Sequence, residues 1–129
     1  MPRRKTPRPT DGQLAILAVL WRTGPATVRQ VHEALPAKVR KGYTTTLKLM
    51  QIMAEKDLLS RDETVRPQLY KVARSQSQTQ RQLVGDMLER AFRGSSGKLV
   101  MQALSTKKAT AEERQQIRDL LDSMEEDSK

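Results

Sequence analysis

The chain has 129 residues, with 24 Lys and Arg against 15 Asp and Glu, one His and no Cys, for a net charge of +9 at pH 7. Without thiols there are no disulfides or thiolate metal sites, and one histidine, His32, cannot assemble a zinc site with local help. No apolar run approaches the ~18 residues of a membrane span, and the start, MPRRKTPRPT, lacks the apolar stretch of a secretory signal; a soluble, cytoplasmic protein without membrane insertion is expected.

The charge is unevenly placed. Residues 1–74 hold 15 Lys and Arg against 6 acids, which accounts for the whole net charge, and residues 75–129 hold 9 of each. A basic portion joined to a neutral one predicts a polyanion-binding domain followed by an assembly domain. We therefore read a flexible basic arm at 1–9, a DNA-binding domain at 10–74 and a helical dimerisation domain at 75–129.

In chain order, Thr10 and Gln13 have capping-box spacing, and Leu14, Leu17, Leu20 and Trp21 recur at helical period until Gly24-Pro25 stops the first helix. Thr27 and Gln30 repeat the pattern before a shorter stripe, Val28, Val31 and Leu35, that ends at Pro36. His32 lies there beside Glu33 and reads as a surface or half-buried residue without a role. A Lys- and Arg-rich linker, 37–42, leads into KGYTTTLKLMQIMAEKDLL. On a helix, Thr46, Leu49, Met50 and Met53 form its inward stripe, and Thr44, Lys48, Gln51 and Glu55 its outward face. Short hydroxyl and amide groups with one cation suit base edges and phosphates in a DNA major groove. The plainer alternative is that Thr44 or Thr45 caps this helix.

Leu59 to Asp62 and Gln68 to Val72 read as two strands around a polar turn, 63–67, with Arg66 near its tip. Three short helices and a β-hairpin predict a mainly α fold: a winged helix-turn-helix with a C-terminal all-helical dimerisation region. In that region Ser77 and Gln80 are expected to cap a helix bearing Leu83, Val84, Met87, Leu88, Ala91 and Phe92, with Gly94 as its stop. Leu99, Val100, Ala103 and Leu104 mark a short middle helix. Thr110 and Glu113 cap the last, which carries Ile117, Leu120, Leu121 and Met124. About 50 residues close no core alone, so the expected partner is the same tail of a second copy, through Leu83, Val84, Met87, Leu88, Phe92, Val100, Leu104, Ile117, Leu120 and Leu121; folding back on the chain's own first domain is the alternative.

The segments TDGQLAILAVLWRTGPATVRQVHEAL and GYTTTLKLMQIMAEKDLL, with the wing ending in LYKV, resemble the penicillinase-repressor family of winged-helix bacterial regulators, over roughly Thr10 to Leu121. The Gln13 to Trp21 start and the Tyr43-Thr44-Thr45 opening carry the resemblance most specifically. It implies a homodimer that occupies a palindromic operator on double-stranded DNA and represses transcription, of a β-lactamase or another stress-response gene. It also implies a recognition helix entering the major groove from Tyr43 to Gln51, and a membrane sensor protease or other inactivator as a further partner. The Asn-Phe cleavage pair of staphylococcal members falls at Gln102-Ala103 here, and the C-terminal cysteines of copper-responsive relatives are absent. The scissile pair thus departs from the staphylococcal one, and copper sensing is not carried over.

The expected DNA-binding residues are Arg29, Lys41, Tyr43, Thr44, Thr45, Lys48, Gln51 and Arg66. No cofactor, metal or catalytic group is assigned. Gly94-Ser95-Ser96-Gly97-Lys98 is similar to the end of a phosphate-binding loop but lacks its leading Gly and its Ser/Thr after Lys, and reads as a helix connector. The rival to a specific repressor is a sequence-independent nucleic-acid-packaging protein.

Overall fold

The computed structural model describes residues 8–128. The first helix, α1 (Asp11–Thr23), begins at a complete capping box: the Gln13 N–H donates to the Thr10 hydroxyl and the Thr10 N–H to the Gln13 side chain. Its far end closes on Gly24, whose φ of 80° and ψ of −167° belong to a region only glycine enters without strain. The basic arm read at 1–9 lies outside the described residues through position 7, and Pro9 is already buried.

A second capping box, Thr27 with Gln30, opens α2 (Val28–Ala34). The third helix, α3 (Tyr43–Glu55), has Gly42 at its N-cap and no side-chain capping bond. Thr44 and Thr45 are thus not caps, and the plainer alternative for the threonine run fails. After Glu55 the chain turns through Asp57 at φ 61°, and Leu58 and Asp57 donate to the Met53 and Ala54 carbonyls. This is the pattern of a Schellman ending, which satisfies the last helical carbonyls and drives Leu58 into the core.

The hairpin pairs β1 (Leu59–Asp62) with β2 (Leu69–Val72) antiparallel, Leu59 opposite Val72 and Asp62 opposite Leu69. A further pairing was not foreseen. The Ala26 N–H donates to the Tyr70 carbonyl at 3.0 Å and the Tyr70 N–H to the Ala26 carbonyl at 2.8 Å. The α1–α2 connector therefore acts as a one-residue third strand against the free edge of β2, satisfying backbone groups that burial would otherwise leave unpaired.

Ile16, Leu17, Val19 and Leu20 of α1, Val28 and Val31 of α2, Met50 and Met53 of α3, Leu58, Leu59 and Tyr70 form one buried cluster. Val31, Met50 and Met53 have no solvent exposure. Of the inward stripe expected on α3, Thr46 is buried with the two methionines, and Leu49 packs on the cluster edge.

The remaining elements are α4 (Gln76–Ala91), α5 (Ser96–Thr106) and α6 (Ala111–Asp127). The chain divides into two compact units inside α4, the first ending at Val84 and the second starting at Gly85. The cap of α4 is Ser75 with Gln78, not Ser77 with Gln80: Gln78 N–H meets the Ser75 hydroxyl and Ser75 N–H the Gln78 side chain. Gly94, at φ 80°, follows the end of α4, and Thr110 with Glu113 caps α6 as expected. In the Gly94 to Lys98 segment only Gly94 and Ser95 connect helices. Ser95 caps α5, and Ser96 to Lys98 form its first turn.

Candidate nucleic-acid interface

The 13 residues of α3 make a rod about 20 Å long. Its buried side is Thr46, Met50 and Met53, so the helical period forces Thr44, Lys48, Gln51 and Glu55 outward, and all four are exposed. Lys48 stands one turn beyond Thr44 and has no ion pair among the described residues, so its charge is available to a ligand. With a buried side fixed by the core and a polar side of short groups, α3 fits a major groove about 12 Å wide.

Beside α3 lies an open groove of about 500 Å³ whose lining includes Arg29, Gln30 and Glu33 of α2, Tyr43, Leu47 and Gln51 of α3, and Arg66, Pro67 and Gln68 of the wing turn. Arg29, Tyr43, Gln51 and Arg66, taken from three separate stretches of sequence, thus share one concavity. Thr44 and Lys48 lie on the outward face of the same helix. Lys41 and Thr45 instead line a second, smaller hollow of about 120 Å³ with Gly12, Ala15, Leu35, Val39 and Leu49. All eight candidates except the half-turned Tyr43, at 36% exposure, are plainly exposed.

The interface holds one arrangement that sequence reasoning missed. Arg29 and His32 are three residues apart on α2, and Tyr43 and Thr46 are three apart on α3, so each pair lies on one helix face. The two faces meet. The Arg29 guanidinium carbon lies 4.7 Å from the Tyr43 ring centroid, His32 meets Tyr43 edge-on at 5.7 Å and 85°, and His32 Nδ1 lies 2.9 Å from the Thr46 hydroxyl. The lone histidine is half-buried, as expected, and it bridges α2 to Tyr43 and Thr46 of α3. Its spacing from Arg29, matched by the spacing of Tyr43 and Thr46, was the available signal.

On the wing, Asp62 accepts from the Thr64 N–H and hydroxyl, and these bonds hold its carboxyl below the ordinary value. The bonds close the turn that carries Arg66.

In the second unit no residue of α5 or α6 is buried. Val84 at the end of the first unit, and Met87, Val100, Leu104, Leu120, Leu121 and Met124 in the second, are exposed; Leu83, Leu88, Phe92 and Ile117 are half-buried. Leu120 and Leu121 are each 56% exposed, far from the burial such side chains reach in a closed core. Gln102 and Ala103 lie mid-helix in α5. No helix among the described residues is long and apolar enough to cross a membrane, and none of their acidic or His side chains group as a metal site.

Three helices, the third polar on its outer side, followed by a hairpin and then by helices alone, define a winged helix-turn-helix with a C-terminal helical region. The chain belongs to the penicillinase repressor family, whose model matches residues 9–123. It is similar to the proteins named transcriptional regulator BlaI of Mycobacterium tuberculosis strains CDC 1551 / Oshkosh and ATCC 25618 / H37Rv, at 46% identity over 56 residues in each case. That match covers 43% of this chain and 41% of each relative, so it spans about two fifths of the relatives' length. Family and relatives are transcriptional regulators, not enzymes.

Proposed function

We propose that this chain is a dimeric, sequence-specific DNA-binding repressor that occupies a palindromic operator from the cytoplasm. The observation that carries the reading is the outward face of α3, where Thr44, Lys48 and Gln51 are exposed beside a groove that gathers Arg29, Tyr43 and Arg66. Thr44 and Gln51 offer hydrogen bonds to base edges, and the cations meet backbone phosphates, which supply affinity without sequence information. Lys41 and Thr45 extend the contact at the start of α3.

The unit read at 75–129 assembles the dimer. Its support is the apolar side chains that α4, α5 and α6 leave open, together with the small size of the unit. One short helix reads only a few base pairs. A two-fold partner sets a second α3 about 34 Å away, one helical turn along the same DNA face. Linking the half-sites raises the effective concentration of the second contact, so an inactivator that opens the tail interface releases the operator. Repression needs no chemistry, since an occupied promoter excludes polymerase. Control of a β-lactamase or another stress-response gene, with a membrane sensor protease as inactivator, is supported by the family alone.

Competition binding between a dyad-containing duplex from the chain's own upstream DNA and random duplex tests this. A specificity ratio above about a thousand is expected. A ratio near one would leave a sequence-independent packaging protein instead.

A further inference from the structure

We propose that His32 is a positioning residue for DNA backbone contact: it fixes the Tyr43 ring, and that ring holds the Arg29 guanidinium at the mouth of the groove. The proposal rests on the reading of this face as the DNA interface. Arg29 is an exposed side chain on a short helix, and an unsupported arginine samples many rotamers. Here its guanidinium carbon lies 4.7 Å from the centre of the Tyr43 ring. Stacking on an aromatic face leaves the planar fork of N–H groups free at its edge, the geometry in which arginine binds a phosphate with two parallel bonds.

The ring that carries this contact is the first residue of α3 and needs support of its own. His32 supplies it by meeting Tyr43 edge-on at 85°, an arrangement that the ring quadrupoles favour. The imidazole is tethered in turn, with Nδ1 2.9 Å from the hydroxyl of Thr46, which is 3% exposed and belongs to the core side of α3. The chain of contacts runs from the core through Thr46, His32 and Tyr43 to Arg29, and its last member lines the groove with Gln51 and Arg66. His32 needs no contact with DNA to act in it.

A double-mutant cycle on the full chain tests this, with operator affinity measured by anisotropy over a series of salt concentrations. Arg29→Ala is expected to weaken binding on operator and random duplex alike and to flatten the salt dependence. His32→Ala is expected to weaken binding about fivefold in the parent and less than about twofold once Arg29 is absent, because both remove the same contact. Arg29→Lys should lose affinity while keeping most of the salt dependence, since an ammonium retains the charge but does not reproduce the stacked fork. In the free protein, the Tyr43 ring resonances, separable from those of Tyr70 by Tyr43→Phe, should move in His32→Ala. Should His32→Ala prove unfolded by circular dichroism, His32→Asn keeps a polar group beside Thr46 without the ring and carries the same expectations. A full His32 effect that persists without Arg29, or unmoved Tyr43 resonances, overturns the relay and leaves the DNA face intact. An unchanged Arg29→Ala removes Arg29 from the face and the proposal with it, while Lys48→Ala in parallel reports whether the face itself stands.

Discussion

Replacing Lys48 by Ala probes the proposed interface with little risk to the fold. Lys48 is exposed on the outer side of α3 and has no ion pair among the described residues, so its removal should change stability by less than about 0.5 kcal/mol. A dimer carries two copies. If each meets one phosphate, the slope of log K against log salt should fall by about 1.8, from roughly 0.9 per phosphate on duplex DNA. Affinity should then drop about equally on operator and random duplex. If Lys48 reads a guanine instead, about 1–3 kcal/mol of discrimination should vanish at one base pair of each half-site, while the salt slope changes less. Anisotropy titrations over a salt series, repeated on operators substituted one base pair at a time, separate the two. Parent-like affinity and slope at ~150 mM salt, where exposed charges more than about 8 Å apart are largely screened, would refute the assignment of the outer face of α3 to DNA.

Leu121→Asp places a charge on the exposed apolar side of α6; sedimentation should shift from dimer to monomer and operator affinity should fall with it, and a persistent dimer would send the assembly surface elsewhere. Gly24→Ala meets no atom within 4 Å, yet its φ of 80° and ψ of −167° should make the change cost about 1–3 kcal/mol in a thermal or denaturant melt. An unaltered melt would show that the turn relaxes. Glu113 accepts from the Thr110 N–H and has its carboxyl held below the ordinary value chiefly by that bond. A depressed folded value stabilises α6 above the unfolded carboxylate pKa, and that support is lost as pH falls through the folded value. Glu113→Gln keeps the capping amide without the titration, so the loss of α6 amide-exchange protection below pH ~4 should shrink in the variant. Identical pH profiles would dissociate the cap from the acid response.

What the sequence disclosed was mostly local. Thr10, Thr27 and Thr110 caps were readable because both partners lie within one turn and precede an apolar stripe. The cap of α4 was misplaced because Ser75-Gln78 and Ser77-Gln80 share one spacing. The earlier pair prevails where β2 has just ended. The inside and outside of α3 followed from helical period alone, with Met50 and Met53 fully buried and Thr44, Lys48 and Gln51 exposed. Contacts between elements were not readable in this way. The Ala26–Tyr70 pairing joins positions distant in sequence and leaves no periodic trace. The stack of Arg29 on Tyr43 depends on how α2 crosses α3, which neither helix encodes by itself.

The double anchoring of Tyr70, to β1 on one edge and to Ala26 on the other, divides the hairpin into a fixed base and a free end. Residues added or removed between Glu63 and Gln68 change how far Arg66 extends and leave the anchored base in place. On the proposed reading of this face, reach along a duplex and contact within its groove would be separately adjustable, and a change of footprint would not require rebuilding α3.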